Sequence, residues 1–171
     1  KEIVSGGQTG VDRAALDVAI KLNIKHGGWC PHGRSAEDGT ISMQYNLQEA
    51  PAPTPEENVD PDAIYKKRTE LNSKESDGTL IILKDSPIGG TLYTIEMAEK
   101  HQKPHLIFLL SSDLNVEKII DWITKNNIRK LNVAGPRASQ TENIYKITFS
   151  LLHELLNHPS LNQQQASHNS N

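Results

Sequence analysis

Two glycine turns hold the residues best suited to grip a charged small molecule. The first, Gly6-Gly7-Gln8-Thr9-Gly10, follows the apolar Ile3-Val4 and runs into a helical pattern opened by Val11, Asp12 and Arg13. The second, Gly89-Gly90-Thr91, comes after the run Leu80-Ile81-Ile82-Leu83 and also opens a helix. Glycine lets the backbone turn left-handed and lets a ligand come close. The helix behind it presents unpaired N–H groups and the positive end of its dipole, a natural seat for phosphate. The first spacing is G-G-x-x-G with no Lys-Ser/Thr pair after it, so neither the dinucleotide fingerprint nor the P-loop is present. A tight strand–helix turn is the plain alternative for either stretch alone. Two such turns in one chain favour a phosphorylated ligand. Thr91 can cap its helix, and its hydroxyl can also reach a phosphate.

Charged residues cluster after other strands. Asp12, in a first helical turn, offsets the dipole or receives a ligand hydroxyl; Arg13 is beside it. The polar loop Cys30 to Thr40 carries Arg34, Glu37 and Asp38. Cys30 and His32 invite a metal reading, but no second Cys/His pair at zinc spacing exists, so no structural metal site is expected. Arg137, in Gly135-Pro136-Arg137-Ala138-Ser139, can clamp an anion bidentately or form a surface salt bridge. Arg68, Thr69 and Asn72 gather on a helix, where polar residues are often merely solvated. They face either this pocket or a neighbouring subunit.

The elements that must position these groups follow from periodicity. Residues 1–5, 24–29, 79–83, 104–110 and 131–134 read as strands, and the continuous apolar run at 80–83 suits a parallel strand covered on both faces. Apolar stripes at helical spacing predict helices over about 10–22, 63–74, 91–101, 115–126 and 141–157. The alternation implies an α/β fold, a three-layer Rossmann-like domain with a mainly parallel sheet, spanning residues 1–158. Right-handed crossovers place the turns at 6–10, 30–39, 89–91 and 135–139 on one sheet edge. Residues 48–62, with Pro51, Pro53, Pro55 and Pro61, cannot be regular helix or central strand. They form a long connection: a flap over the site, a subunit contact or simply a flexible loop. Residues 159–171 read as a polar, flexible tail.

With 171 residues, one domain with a sizeable core is expected. A net charge of -3 argues against nucleic-acid binding. One cysteine excludes an internal disulfide framework and fits a reducing compartment. No apolar run approaches the ~20 residues that span a membrane, and no signal-peptide pattern is visible. A cytoplasmic protein with no membrane partner is the expectation. The chain opens at Lys1 without Met, so its native start can lie upstream.

Several of these stretches together resemble a known family. They are Ser5 to Arg13; Trp29-Cys30-Pro31-His32-Gly33-Arg34 with Ala36-Glu37-Asp38-Gly39; Arg68-Thr69 with Asn72; Ser76-Asp77-Gly78-Thr79; Gly89-Gly90-Thr91 with Thr94; and Ala134-Gly135-Pro136-Arg137. Over about residues 1–150 the chain is similar to the putative molybdenum carrier family, a circularly permuted YpsA-like branch of the SLOG superfamily. The resemblance implies a Rossmann-like fold, a homo-oligomer (dimer or tetramer), and a ligand that is either the molybdenum cofactor (molybdopterin) or a nucleotide. The binding set is then Gly6, Gly7, Gln8, Thr9, Gly10, Asp12, Arg13, Arg34, Glu37, Asp38, Gly89, Gly90, Thr91, Thr94, Gly135, Pro136, Arg137 and Ser139. Arg68, Thr69, Asn72 and Asp77 are further candidates. Related cytokinin-activating phosphoribohydrolases carry P-G-G-x-G-T-x-x-E, and Thr94 stands where that motif has its catalytic Glu. Glu96 falls roughly 200° around a helix of about 3.6 residues per turn, pointing away from the site. An N-glycoside hydrolase would therefore need Asp12, Glu37 or Asp38 as its carboxylate.

Overall fold

All five strands of the central sheet run parallel. The computed structural model describes residues 1–86, 89–111 and 114–166. Its strands, in chain order, are β1 (Glu2–Val4), β2 (Lys25–Gly27), β3 (Trp29–Cys30), β4 (Ser35–Ala36), β5 (Gly39–Thr40), β6 (Gln48–Glu49), β7 (Gly78–Leu83), β8 (His105–Leu109) and β9 (Lys130–Ala134). The helices are α1 (Val11–Lys21), α2 (Ala63–Glu75), α3 (Gly90–Lys100), α4 (Val116–Lys125), α5 (Ile144–Leu156) and α6 (Pro159–Ala166). The sheet order is β2-β1-β9-β7-β8. Counted cyclically from β9, this is 3-2-1-4-5, the order of a doubly wound nucleotide-binding sheet. The last strand therefore fills the centre, between the two strands that precede the glycine turns.

The crossover rule explains the layers. The connections β1-α1-β2 and β8-α4-β9 step in one direction along the sheet and β7-α3-β8 steps in the other, so right-handedness puts their helices on opposite faces. Accordingly α1 and α4 both pack on α5, while α2 packs on α3. The face carrying α1, α4 and α5 holds the main core, with Ile3, Val18, Leu80, Ile82, Ile119, Leu131 and Leu152 fully buried. Each such side chain contributes about 1.5–3 kcal/mol by leaving water. On the opposite face, α2 buries Thr69, Asn72 and Ser73, mostly polar groups. A polar helix face against the sheet leaves room for something other than a core.

Three local features depart from the sequence reading. The expected strand at 24–29 breaks at Gly28, and Trp29–Cys30 pairs with Gln48–Glu49 in a separate two-stranded sheet. The proline-rich connection therefore begins as a strand before it turns irregular, with a short 3₁₀ turn at Glu57–Val59. The polar tail begins as α6, because Leu161 enters the main core. Residues 167–171 of that tail, and Ile88 ahead of the second glycine turn, lie outside the described residues.

Candidate ligand-binding site

The ends of β1, β7 and β9 open onto a cavity of ≈ 480 Å³. Central placement of β9 makes this the point where the sheet reverses its strand order, the position at which open α/β sheets hold ligands. The cavity is lined by Gln8 and Asp12 after β1, Gly89 to Thr94 after β7, and Ala134, Gly135, Arg137 and Gln140 after β9. Helix α2 closes the remaining side with Asp62, Tyr65, Lys66, Arg68 and Thr69. Of the residues expected at a site, the fold thus gathers Gln8, Asp12, Arg68, Thr69, Gly89, Gly90, Thr91, Thr94, Gly135 and Arg137.

The two glycine turns differ in what they face. Gly10 precedes α1 at φ 79, a backbone that suits glycine, and a Cβ there would lie 2.4 Å from the Pro136 carbonyl oxygen. That carbonyl accepts the Val11 N–H at 3.2 Å. The start of α1 is therefore stoppered by the loop after β9. Gly6 is covered too, because a Cβ would fall 1.7 Å from Arg68 Nη1. At the start of α3 the surroundings are open: among the described residues, a Cβ on Gly89 or Gly90 meets no atom within 4 Å. Among the described residues no side chain caps α3. Of the two helix starts, it is α3 that presents its N–H groups to the cavity.

Asp12 forms the floor. It is buried, and its Oδ2 accepts the Gln8 N–H at 3.3 Å and Arg68 Nη1 at 3.0 Å. Burial pushes the Asp12 carboxyl above its ordinary value, opposed by the charge of Arg68. Arg68 Nε is itself buried without a hydrogen-bond partner among the described residues. The Thr94 hydroxyl donates to Gly90 O at 3.0 Å and the Thr69 hydroxyl to Tyr65 O at 3.0 Å, so both are turned back on their own helices.

Other expected residues work outside the cavity. Arg34 is buried, and its guanidinium donates to the carbonyls of Ile41, Ser42, Tyr45 and Leu47. It pins the loop that returns towards β6. Arg13 donates to Asp38 and to the Gly7 carbonyl, and its guanidinium lies 5.6 Å from the Tyr45 ring centroid. The Arg13 hydrogen bond holds the Asp38 carboxyl below its usual range. Glu37 accepts from the Ser139 N–H and hydroxyl and from the Thr9 hydroxyl, while Thr9 Oγ1 accepts the Ala138 N–H. Slight burial opposes its charge, but these bonds and Arg137, 3.5 Å away, hold the Glu37 carboxyl below its ordinary value. The loops after β1, β4 and β9 are thereby tied together beside the cavity. Asn72 pairs with both backbone groups of Trp29, and Asp77 accepts the N–H groups of Arg129 and Lys130.

Among the wall residues that escaped the sequence reading are Tyr65, Lys66, Tyr93 and Glu96. Glu96 does not point away. The cavity runs past the sheet edge along the groove between α2 and α3, so a side chain half a turn from Thr94 still lines it. Lys66 sits 5.5 Å from the Tyr93 ring centroid and pairs with Asp60 at 2.6 Å. The buried polar face of α2 was the available signal for this wall.

The model of the circularly permutated YpsA SLOG family matches residues 3–156. The chain belongs to that family. In its sheet the last strand of the chain, β9, holds the central position. A crystal structure described as that of a "Putative molybdenum carrier protein" from Syntrophus aciditrophicus SB is 43% identical to this SLOG protein. It superposes with a TM-score of 0.80, over 91% of this chain and 94% of the other. No curated protein matches.

Proposed function

We propose that the protein binds a phosphorylated, nucleotide-like small molecule in this cavity, and that its cargo is the phosphorylated pterin of the molybdenum cofactor. The observation that carries the reading is the open start of α3, where no atom of the described residues lies within 4 Å of a Cβ on Gly89 or Gly90. A phosphate seated there meets helix N–H groups, the dipole and the Thr91 side of the turn, with Arg137 at the rim. Tyr65 and Tyr93 supply aromatic wall for a flat heterocycle.

The name of the crystal-structure neighbour supports the choice of cargo. Among the described residues no group of three or more His, Cys, Asp or Glu gathers to hold a metal. Molybdenum would therefore arrive on its own organic ligand, as part of the cargo. Binding is favoured over glycoside hydrolysis because Thr94 stands where the hydrolase motif has its Glu, and Asp12 is engaged by Arg68. The reading places the carrier in the cytoplasm as a homo-oligomer, with half-exposed Ile107 and Leu109 on edge strand β8 as the surface for assembly.

The test is to denature the purified protein and examine what it releases by mass spectrometry, with molybdenum analysis alongside. A stoichiometric phosphorylated pterin with molybdenum is the expected result. A nucleotide instead moves the reading to nucleotide binding and calls for a turnover assay. A protein that releases nothing and binds neither class of molecule overturns the proposal.

A further inference from the structure

Gln8 and Asp12 are more than nine-tenths buried, yet each leaves polar capacity unused at the cavity. Gln8 is 8% exposed and Asp12 4%. Gln8 Oε1 accepts two backbone N–H groups, from Thr9 and from Glu37, both at 3.0 Å. Two backbone donors can only be met by the carbonyl end of the amide, so the orientation of this side chain is fixed by its network. The NH₂ group is thereby turned away from both donors, and among the described residues it has no hydrogen-bond partner. Asp12 is in the same condition. Its Oδ2 is taken by Gln8 N and Arg68, whereas Oδ1 has no partner among the described residues.

Both residues line the cavity, and the Gln8 N–H donates to Asp12 Oδ2, which ties the turn to the start of α1. Between them they leave one acceptor and one donor on the cavity wall. Leaving such groups dry and unpaired costs about 1–3 kcal/mol each, so a ligand that satisfies both is selected over one that does not.

We infer that the Gln8 amide and the Asp12 carboxylate form a reading head for a lactam edge, the N–H beside C=O of an oxo-purine or a pterin. The ring N–H donates to Asp12 Oδ1, and the ring carbonyl accepts from Gln8 Nε2. Arg68 holds the carboxylate in register from the other side. The inference rests on the proposal of a phosphorylated ligand, and it adds which heterocycle that ligand carries. A sugar phosphate has no such edge. Adenine lacks a ring carbonyl, so it fails to offer Gln8 the oxygen acceptor of a lactam.

The experiment is calorimetric titration of the full chain, at pH 8, with GMP, IMP, AMP, ribose 5-phosphate and neopterin monophosphate. GMP or neopterin monophosphate should bind at least tenfold tighter than AMP and ribose 5-phosphate, and the tighter of the two identifies the source of the edge. IMP keeps the lactam and lacks the 2-amino group, so it should bind within a few fold of GMP. AMP or ribose 5-phosphate binding as well as GMP overturns the lactam reading and leaves the phosphate site standing. Failure of every probe overturns both proposals.

Gln8→Glu sharpens the test. It keeps the oxygen that accepts from Thr9 and Glu37 but presents a second acceptor in place of the NH₂ donor. The variant should lose at least tenfold for GMP, because the ring carbonyl then meets an acceptor, and should leave the weaker binding of ribose 5-phosphate within a few fold. Unchanged preference in a folded variant removes Gln8 from recognition. Should the variant fail to fold, the wild-type series with IMP still decides.

Discussion

Asp12 and Arg68 stand 56 residues apart in the chain and meet at 3.0 Å in the floor of the cavity. The two come from helices on opposite faces of the sheet, so the pair crosses the end of β1. Only 5% of the Asp12 side chain and 16% of that of Arg68 is exposed. Removing one partner of such a pair leaves the other charged and dry, which costs about 3 kcal/mol or more. Arg68→Met should therefore destabilise the protein by about 3 kcal/mol in urea denaturation. Asp12→Asn added to it should recover a large part of the loss, because the orphan charge is then gone. A double variant no more stable than Arg68→Met would show that the pair is not coupled.

The two glycine turns should respond oppositely to the same substitution. Gly10→Ala forces a side chain into left-handed backbone and against the Pro136 carbonyl. It should cost about 2 kcal/mol of stability. Gly90→Ala puts a methyl group into open space at the first residue of α3, where alanine is the better helix former. Its melting temperature should hold or rise, while affinity for GMP falls at least tenfold because the phosphate seat is filled. Equal loss of stability in both variants would erase the distinction between the stoppered and the open helix start.

That distinction marks the limit of the sequence. Gly6 to Gly10 and Gly89 to Thr91 look alike as strings, and both are legible as strand–turn–helix units because apolar runs and helical stripes flank them. What covers a turn is decided by a distant loop. The Pro136 carbonyl closes the first, and no residue type near Gly10 announces it. The sheet is legible for a similar reason: Leu80 to Leu83 can only be a strand buried on both faces. The break at Gly28 and the pairing of Trp29–Cys30 with Gln48–Glu49 depend on long-range register, which periodicity does not carry. The sequence misplaces Glu96 because helical angle gives a direction around α3 but not the extent of the cavity beside it.

Arg34 shows how residue type alone misleads. An arginine in a polar loop suggests an anion, but its guanidinium is spent on four backbone carbonyls between Ile41 and Leu47. Backbone acceptors are invisible in a sequence, since every residue has one. Arg34→Ala should cost about 3 kcal/mol, because buried carbonyls lose charge-assisted bonds. Arg34→Lys should rescue only a small part, since one ammonium cannot span a planar fork's four acceptors. Affinity for GMP should stay within a few fold in the fraction that remains folded. A tenfold loss would return Arg34 to the binding site.

Asp17 links two tyrosines, and this gives the protein an alkaline limit. The Tyr45 and Tyr145 hydroxyls donate to its two carboxylate oxygens at 2.5 Å each, joining the loop after β5 and helix α5 to α1. Burial and then the Asp17 bond push Tyr45 up to about 12, and the same causes raise Tyr145. An unfolded tyrosine titrates near about 10. Between those values the folded protein holds protons that the unfolded chain releases, so stability falls as pH rises. The contribution is complete below about pH 10 and is lost as pH climbs through about 12. Tyrosinate absorbance of the native protein should therefore lag that of the urea-unfolded chain, its last part appearing together with unfolding. Tyr45→Phe should flatten the fall in stability over this window, measured by urea midpoints at stepped pH. An unchanged slope would mean that the phenol on Asp17 is not what limits the protein in alkali.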